Sequence, residues 1–229
     1  MDKVSVYSHN PRLGNDTTHR HRESIDGITM LPRHQQFGVI EQHSPYITLY
    51  NARSSNFVAN LRCNAVPLGM CYVEPLNALV AACSDMTMVR WNVGDCPRKF
   101  RYQQHSKWPT PDTQMSLCWQ KQHALLYSGS VAGTVHSWDV EKREQRSCLY
   151  GHTDIVMEVL SIEYLENVVS ASLDTSIRIW DTYTEQQTTK LMGHSKVSAR
   201  ARPPDATHAR HSSDPKTRHP HPTTPPKGR

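Results

Sequence analysis

The chain of 229 residues lacks the features that mark several common classes of protein. No run of about 18 apolar residues is present, so no transmembrane helix and no membrane partner are expected. Residues 1–24, MDKVSVYSHNPRLGNDTTHRHRES, contain no apolar segment of the kind that a secretory signal requires. Without an export signal, we expect a cytoplasmic protein.

Metal-binding and cofactor-binding patterns are missing as well. The six cysteines include no CxxC pair, so a zinc site is not expected and the thiols should stay reduced. Two HxH pairs, His19/His21 and His219/His221, lack a cysteine or carboxylate at ligand spacing and are interpreted as solvated histidines. No glycine-rich phosphate loop appears, so the sequence predicts no metal and no cofactor. The cysteines are Cys63, Cys71, Cys83, Cys96, Cys118 and Cys148.

The net charge of +5 is unevenly distributed along the chain. Residues 196–229 contain eight lysines and arginines against two aspartates, a net charge of +6, so residues 1–195 carry −1. No phosphate-binding surface is therefore predicted before residue 196. The basic segment lacks aromatic residues on which bases could stack, so any binding of nucleic acid through it would be nonspecific and sensitive to salt.

The stretch from Gly151 to Asp181 has a pattern to which the rest of the chain can be aligned. It begins with Gly151-His152, ends with Trp180-Asp181 and contains three short runs rich in valine and isoleucine. Leu173-Asp174-Thr175 separates the second run from the third. Short apolar runs broken by turn residues predict consecutive antiparallel strands, and GH and WD at the two ends are typical of one four-stranded blade.

This stretch resembles the WD-repeat β-propeller family. In that family a histidine, a serine or threonine, an aspartate and a tryptophan form a buried tetrad, and the matching positions here are His152, Ser170, Asp174 and Trp180. These four side chains can form one chain of hydrogen-bond donors and acceptors. Three of them are also the residue types of a catalytic triad, but their spacing places them inside a blade. We therefore expect a structural role for them, and no catalytic residue.

The same repeat can be followed toward the N-terminus. The counterparts of Trp180 are Trp138, Trp91 and Tyr50, at intervals of 42, 47 and 41 residues, close to the roughly 40 to 45 of a WD repeat. Four blades are predicted, at about 23–62, 63–106, 107–150 and 151–193.

The tetrad is incomplete in the earlier blades. In the third, Ala132 and Thr110 stand at the aspartate and histidine positions; in the second, Ala81 and Cys63 replace serine and histidine. The partial tetrads that remain are Ser128 with Trp138 in the third blade and Asp85 with Trp91 in the second.

Both ends of the chain lie outside the repeat pattern. Residues 1–22 are polar and are predicted to be a disordered lead-in. Residues 194–229 contain seven of the 15 prolines and almost no large apolar side chain, so a disordered tail is predicted. WD-repeat propellers usually have more than four blades, so the fold class predicted is all-β, an unclosed partial propeller with uncovered faces at both ends.

The family resemblance implies a noncatalytic scaffold for protein–protein interactions, here as a fragment or short isoform of a larger propeller. Rim loops are the usual contact regions, and Trp108, in SKWPTPDT between two blades, is predicted to face solvent and contact a partner. Trp119 is predicted to lie in the core.

A narrower resemblance and two alternatives accompany this interpretation. The segment SASLDTSIRIWDTYTEQQTTKLMGH is similar to the large EF-hand-associated WD-repeat proteins of cilia and sperm flagella, which implies a ciliary or flagellar location. The composition break at Lys196 is also consistent with a nonfunctional or dominant-negative truncation product. The remaining alternative is weak nucleic-acid binding through the basic tail.

Overall fold

The fold is described by a computed structural model covering residues 24–94 and 102–193. In these residues sixteen strands form four antiparallel sheets of four strands each. Successive strands are neighbours in every sheet, so each sheet is a simple meander, and we call the sheets blades 1 to 4. The predicted all-β class with four unclosed blades is confirmed. The predicted lead-in at 1–22 and the predicted tail at 194–229 fall outside the described residues, and so do the two HxH pairs and Cys96.

Blades 1 and 2 cover the N-terminal half of the described chain, and a short 3-10 helix at Pro32–His34 joins the first two strands. The strands of blade 1 are β1 Ile25–Leu31, β2 Gln36–Glu41, β3 Tyr46–Asn51 and β4 Phe57–Arg62. The strands of blade 2 are β5 Pro67–Val73, β6 Ala78–Cys83, β7 Thr87–Val93 and β8 Tyr102–Pro109.

Blades 3 and 4 repeat the same order, with a second 3-10 helix at Glu163–Leu165. The strands of blade 3 are β9 Gln114–Gln120, β10 Leu125–Ser130, β11 Val135–Asp139 and β12 Glu144–Leu149. The strands of blade 4 are β13 Val156–Ile162, β14 Asn167–Ser172, β15 Ile177–Asp181 and β16 Gln187–Leu191.

The blades pack face to face through three apolar cores. The first strands of consecutive blades, β1, β5, β9 and β13, contact one another, as expected where blades stack around an axis. Trp91 of blade 2 faces the core shared with blade 1, Trp138 the core shared with blade 2, and Trp180 the core shared with blade 3. Each repeat tryptophan therefore packs on the preceding blade.

Two glycines allow this close packing. A Cβ atom added to Gly69 on β5 would lie 2.8 Å from the carbonyl oxygen of Met115 on β9. A Cβ added to Gly129 on β10 would lie 2.5 Å from Cγ1 of Val156 on β13. Both distances are shorter than van der Waals contact, so these positions have no room for a side chain.

Candidate functional site

The four predicted tetrad residues meet inside blade 4. His152 precedes β13, Ser170 lies on β14, Asp174 lies in the next turn and Trp180 lies on β15. His152 Nδ1 is 2.9 Å from Asp174 Oδ2, and His152 Nε2 is 2.7 Å from Ser170 Oγ. Trp180 Nε1 donates to the same Ser170 oxygen at 2.8 Å. Because the carboxylate accepts from Nδ1–H, Nε2 is the acceptor for the Ser170 hydroxyl, and the chain runs from indole to serine, histidine and aspartate.

The electrostatics of this tetrad favour a neutral histidine beside a charged aspartate. Burial lowers the pKa of His152, although Asp174 acts in the opposite direction. Burial alone would raise the pKa of Asp174, but hydrogen bonds from Ser176 and His152 hold that pKa well below its usual range. The Asp174 carboxylate also accepts from the backbone N–H groups of Thr153 and Ser176, which ties the blade loop to the turn.

The connectivity of aspartate, histidine and serine in blade 4 is that of a hydrolytic triad, yet its surroundings differ. The exposed fraction of Ser170 is 0%, and its oxygen already receives the indole N–H of Trp180. A nucleophile must reach a substrate carbonyl, which this hydroxyl does not face. The geometry therefore ties β14, β15, the turn between them and the loop before β13 together, as expected of a structural network.

Blade 3 contains a second network that the residue pattern did not reveal. Trp138 Nε1 donates to Ser128 Oγ at 2.7 Å, and Ser128 Oγ donates to Gln114 Oε1 at 2.6 Å. The Gln114 amide then donates to the side chain of Asp112 and, at 3.1 Å, to its carbonyl oxygen. Gln114 and Asp112 thus take the places of the missing histidine and aspartate. Thr110, at the predicted histidine position, donates instead to the carbonyl oxygen of Asp112.

The partial tetrad predicted in blade 2 is not brought together in the same way. Asp85 accepts from Lys107 at 3.0 Å and from the hydroxyl of Thr87, both near the surface. Trp91 is 2% exposed and lies in the core between blades 1 and 2. Because Ala81 offers no hydroxyl, the serine link that joins tryptophan to the rest is absent from this blade.

The prediction that Trp108 faces solvent is wrong. Trp108 is 5% exposed and packs in the core between blades 2 and 3. The reason is that β8 continues past the predicted blade boundary at 106 and ends at Pro109. Alternation along this strand directs Ser106 and Trp108 inward and Lys107 outward, and Trp108 pairs with the fully buried Met88. Trp119 is half-buried against the same core.

A groove of about 500 Å³ opens at the rim where blades 2, 3 and 4 meet. It lies at the end of the blades that carries the turns between first and second and between third and fourth strands. Trp119 Nε1 and His123 Nε2 are buried polar atoms on its wall and have no hydrogen-bond partner. The lining residues come from three blades: Pro75 and Leu76; Trp119, His123, Ala124, Leu125, Asp139, Val140, Glu141 and Arg146; and Thr182, Tyr183 and Glu185.

The groove combines aromatic surface with negative charge. Tyr183 is 82% exposed at its edge, and Trp119 forms part of its wall. Three carboxylates, those of Asp139, Glu141 and Glu185, line it against the single arginine Arg146. Such a surface fits a cationic side chain, which would contact both an aromatic face and a carboxylate.

Comparison with known proteins identifies a repeat and the fold. The model of the WD domain, G-beta repeat (WD40), matches residues 143–181, which include the last strand of blade 3 and the complete tetrad. Two solved structures, titled "Structure of U3-55K" and "Crystal structure of RRP9 WD40 repeats", superpose with TM-scores of 0.67 over 77% of this chain, at 19% identity. Residues 143–181 therefore match a WD40 repeat, and the four blades have the β-propeller fold of WD40 proteins.

The similar proteins with curated names share single stretches with this WD40 chain. An uncharacterized WD repeat-containing protein of Schizosaccharomyces pombe is 36% identical over 73 residues, and Cell division control protein 4 of Saccharomyces cerevisiae is 42% identical over 60 residues. These stretches cover 31% and 25% of this chain. Cilia- and flagella-associated protein 337 B of Tetrahymena thermophila is 26% identical over 84 residues, which is 35% of this chain.

This WD40 chain is short beside the proteins that it matches. It spans 54% and 53% of the two solved structures. The matched stretches are 20%, 7% and 6% of the three curated proteins, in the order given above. The similarity therefore establishes the repeat and the fold.

The described blades have neither a metal-binding cluster nor a helix long enough to span a membrane. Residues 24–94 and 102–193 contain no cluster of three or more histidine, cysteine or acidic side chains that could hold a metal ion. The helices of that part are too short to cross a membrane. Its cysteines are free thiols, and burial raises the pKa of Cys71 to about 12, so this thiol is unreactive at neutral pH.

Proposed function

We propose that the chain is a noncatalytic scaffold that binds protein partners at the acidic groove between blades 2, 3 and 4. WD40 propellers typically act as interaction scaffolds, and this chain carries their repeat and their fold. The observation that carries the proposal is the groove itself, whose walls come from three blades and combine the exposed Tyr183 with three carboxylates.

The chemistry of the groove favours a basic peptide segment as the occupant. Glu141 and Glu185 provide carboxylates for an arginine, and Tyr183 provides an exposed aromatic face for its guanidinium group. Leu76 and Leu125 leave room on the wall for an adjoining apolar side chain.

A pair of short peptides tests this function. Acetylated and amidated Ala-Leu-Arg-Leu-Ala and Ala-Leu-Glu-Leu-Ala, each carrying a fluorophore, are titrated with the full chain and followed by fluorescence anisotropy. Only the arginine peptide should bind, and Glu185→Arg should weaken its binding about fivefold, because a reversed rim charge is worth about 1 kcal/mol.

The matched control is Asp154→Arg, another exposed carboxylate, which lies at the opposite end of blade 4 beside the start of β13. This variant has the same change of charge and should bind like the unmodified chain. Equal binding of both peptides, or equal weakening by both substitutions, would mean that the groove is not the docking site.

The location and the size of the complete assembly belong to the same proposal. The four blades are proposed to be part of a larger propeller, which the coverage of 54% and 53% of the solved structures supports. A cytoplasmic location, with the cilium or flagellum as the narrower compartment, is supported by the similarity to the Tetrahymena protein named for cilia and flagella. Imaging of the tagged full chain in ciliated cells tests this location.

A further inference from the structure

At each of the three interfaces, one side of a blade packs on the next blade. Blade 4 has the same kind of side, which could form a fourth interface. At the last interface, blade 3 contributes four buried side chains to the core shared with blade 4: Cys118, Tyr127, Val135 and Leu149, with exposed fractions of 8%, 1%, 0% and 2%. Cross-strand pairing joins Cys118 with Tyr127 and places Val135 opposite Leu149, so all four lie on one side of the sheet. This side is the docking face of blade 3.

Every member of that docking face has an apolar counterpart 42 residues later in blade 4. The counterparts of Cys118, Tyr127, Val135 and Leu149 are Leu160, Val169, Ile177 and Leu191. Their register is the same, with Leu160 opposite Val169 and Ile177 opposite Leu191. In blade 4, however, Leu160 is 58% exposed and Leu191 is 48% exposed. Blade 4 therefore repeats the docking face without a described blade to cover it.

Blade 4 also shows which side chains cover a docking face, because its other side packs on the docking face of blade 3. Val156, Val159, Val168 and Trp180 form the side that packs on blade 3, and Val159 there is 0% exposed. In blade 1 the position of Val159 is occupied by Ile28, because Ile28 pairs with Val39 as Val159 pairs with Ser170. Ile28 is 63% exposed, and its neighbour Met30 is 53% exposed. Blade 1 therefore has the matching surface open.

We propose that a second copy of this chain covers both surfaces. The docking face of blade 4 packs on blade 1 of the partner copy, and blade 4 of the partner copy packs on blade 1 of the first. The two contacts are identical and related by a twofold axis, so the assembly closes. Two copies of four blades give eight, which lies within the roughly four to eight blades of closed propellers. This inference goes beyond the scaffold role and does not depend on the rim groove.

The test measures the mass of the full chain by size-exclusion chromatography with light scattering, at tens of micromolar. The expected mass is twice the chain mass of 26.1 kDa. Leu160→Arg on the docking face and Ile28→Arg on the opposite surface should each reduce the measured mass to that of one chain. Tyr164→Arg is the matched control, since Tyr164 is 85% exposed but lies in the 3-10 helix after β13 and not on either of the two faces.

Mixing the two variants distinguishes this arrangement from other dimers. Each variant retains the surface that the other has lost, so an equimolar mixture of Leu160→Arg and Ile28→Arg should recover a two-chain species through one intact contact. Circular dichroism of each variant reports whether the sheets are formed, and if Leu160→Arg does not fold, Ile28→Arg carries the test.

Four outcomes would overturn the inference. They are a single-chain mass for the unmodified protein, a dimer that neither substitution affects, a dimer that only Leu160→Arg disrupts, and species larger than two chains that require both faces. The third outcome would indicate contact between two copies of blade 4, and the fourth an open filament.

Discussion

Gln114 in blade 3 and His152 in blade 4 occupy the same place in two buried hydrogen-bond networks. Each accepts from a serine hydroxyl that itself receives a tryptophan N–H, and each donates to an aspartate. A glutamine amide and a neutral imidazole share this property of one acceptor atom and one donor atom. This position of the network therefore requires one hydrogen-bond acceptor toward serine and one donor toward aspartate. Both glutamine and neutral histidine meet that requirement.

This equivalence predicts that His152→Gln is tolerated better than His152→Ala. The alanine variant leaves Ser170 and Asp174 without their buried partner, which should lower the free energy of unfolding by about 1–3 kcal/mol. Glutamine can restore both hydrogen bonds, so its cost should be less than half as large. Urea unfolding followed by tryptophan fluorescence measures both values. Equal losses for the two variants would show that only an imidazole fits this position.

The same residue predicts how stability depends on pH. Burial lowers the pKa of His152 in the folded chain, whereas the unfolded chain titrates near 6.5. The unfolded state thus binds more protons below about pH 6.5, so stability should fall as the pH decreases through that value. The pKa of Asp174 is also lowered, and its contribution, complete above about pH 4, should be lost as the pH falls further.

His152→Gln provides the control for this pH dependence. The pKa of His136 in blade 3 is also lowered, chiefly by burial, so His136 contributes in the same window. The difference in unfolding free energy between the unmodified chain and His152→Gln should therefore shrink between pH 7 and pH 5, while the His136 contribution stays in both proteins. A difference that stays constant over this range would contradict the assignment.

The sequence predicted the fold and the blade 4 network because both depend on local spacing. Turn residues limit β13 and β14, and the interval from His152 to Trp180 places the tetrad side chains at the positions that the meander brings together. Asp112 and Gln114 were not found because they lie two residues apart before and at the start of β9. The WD-repeat tetrad instead has its histidine before the first strand and its aspartate in the turn after the second strand.

The burial of Trp108 and the presence of the groove could not be predicted from local residue spacing. Trp108 was predicted to lie between two blades, but β8 is the edge strand of blade 2 and continues to Pro109, since proline is tolerated on an edge strand. His123 and Tyr183 line the same groove although they are separated by 60 residues. Such a site forms only when three blades are stacked, so no single repeat predicts it.

The buried position of Trp108 predicts different costs for two substitutions. Trp108→Ala should lower the free energy of unfolding by about 3–5 kcal/mol, since it leaves a large cavity in the core between blades 2 and 3. Trp108→Phe should cost much less, because the Trp108 N–H has no hydrogen-bond partner to lose. Trp138→Phe is the matched control, and it should cost more than Trp108→Phe because Trp138 donates to Ser128. Chemical unfolding of the three variants tests this order.

Gly69 determines how closely the first strands of blades 2 and 3 approach. A methyl group at this position would lie 2.8 Å from Met115 O and 2.9 Å from the Cα atom of Ser116, and backbone atoms cannot rotate away as side chains do. Gly69→Ala should therefore separate β5 from β9 and lower the free energy of unfolding by about 1–3 kcal/mol. Gly38→Ala, also within a strand, meets only side-chain atoms, the nearest 3.2 Å away on Leu49, and should be nearly neutral. If the two variants unfold at the same urea concentration, backbone contact does not set the distance between these blades.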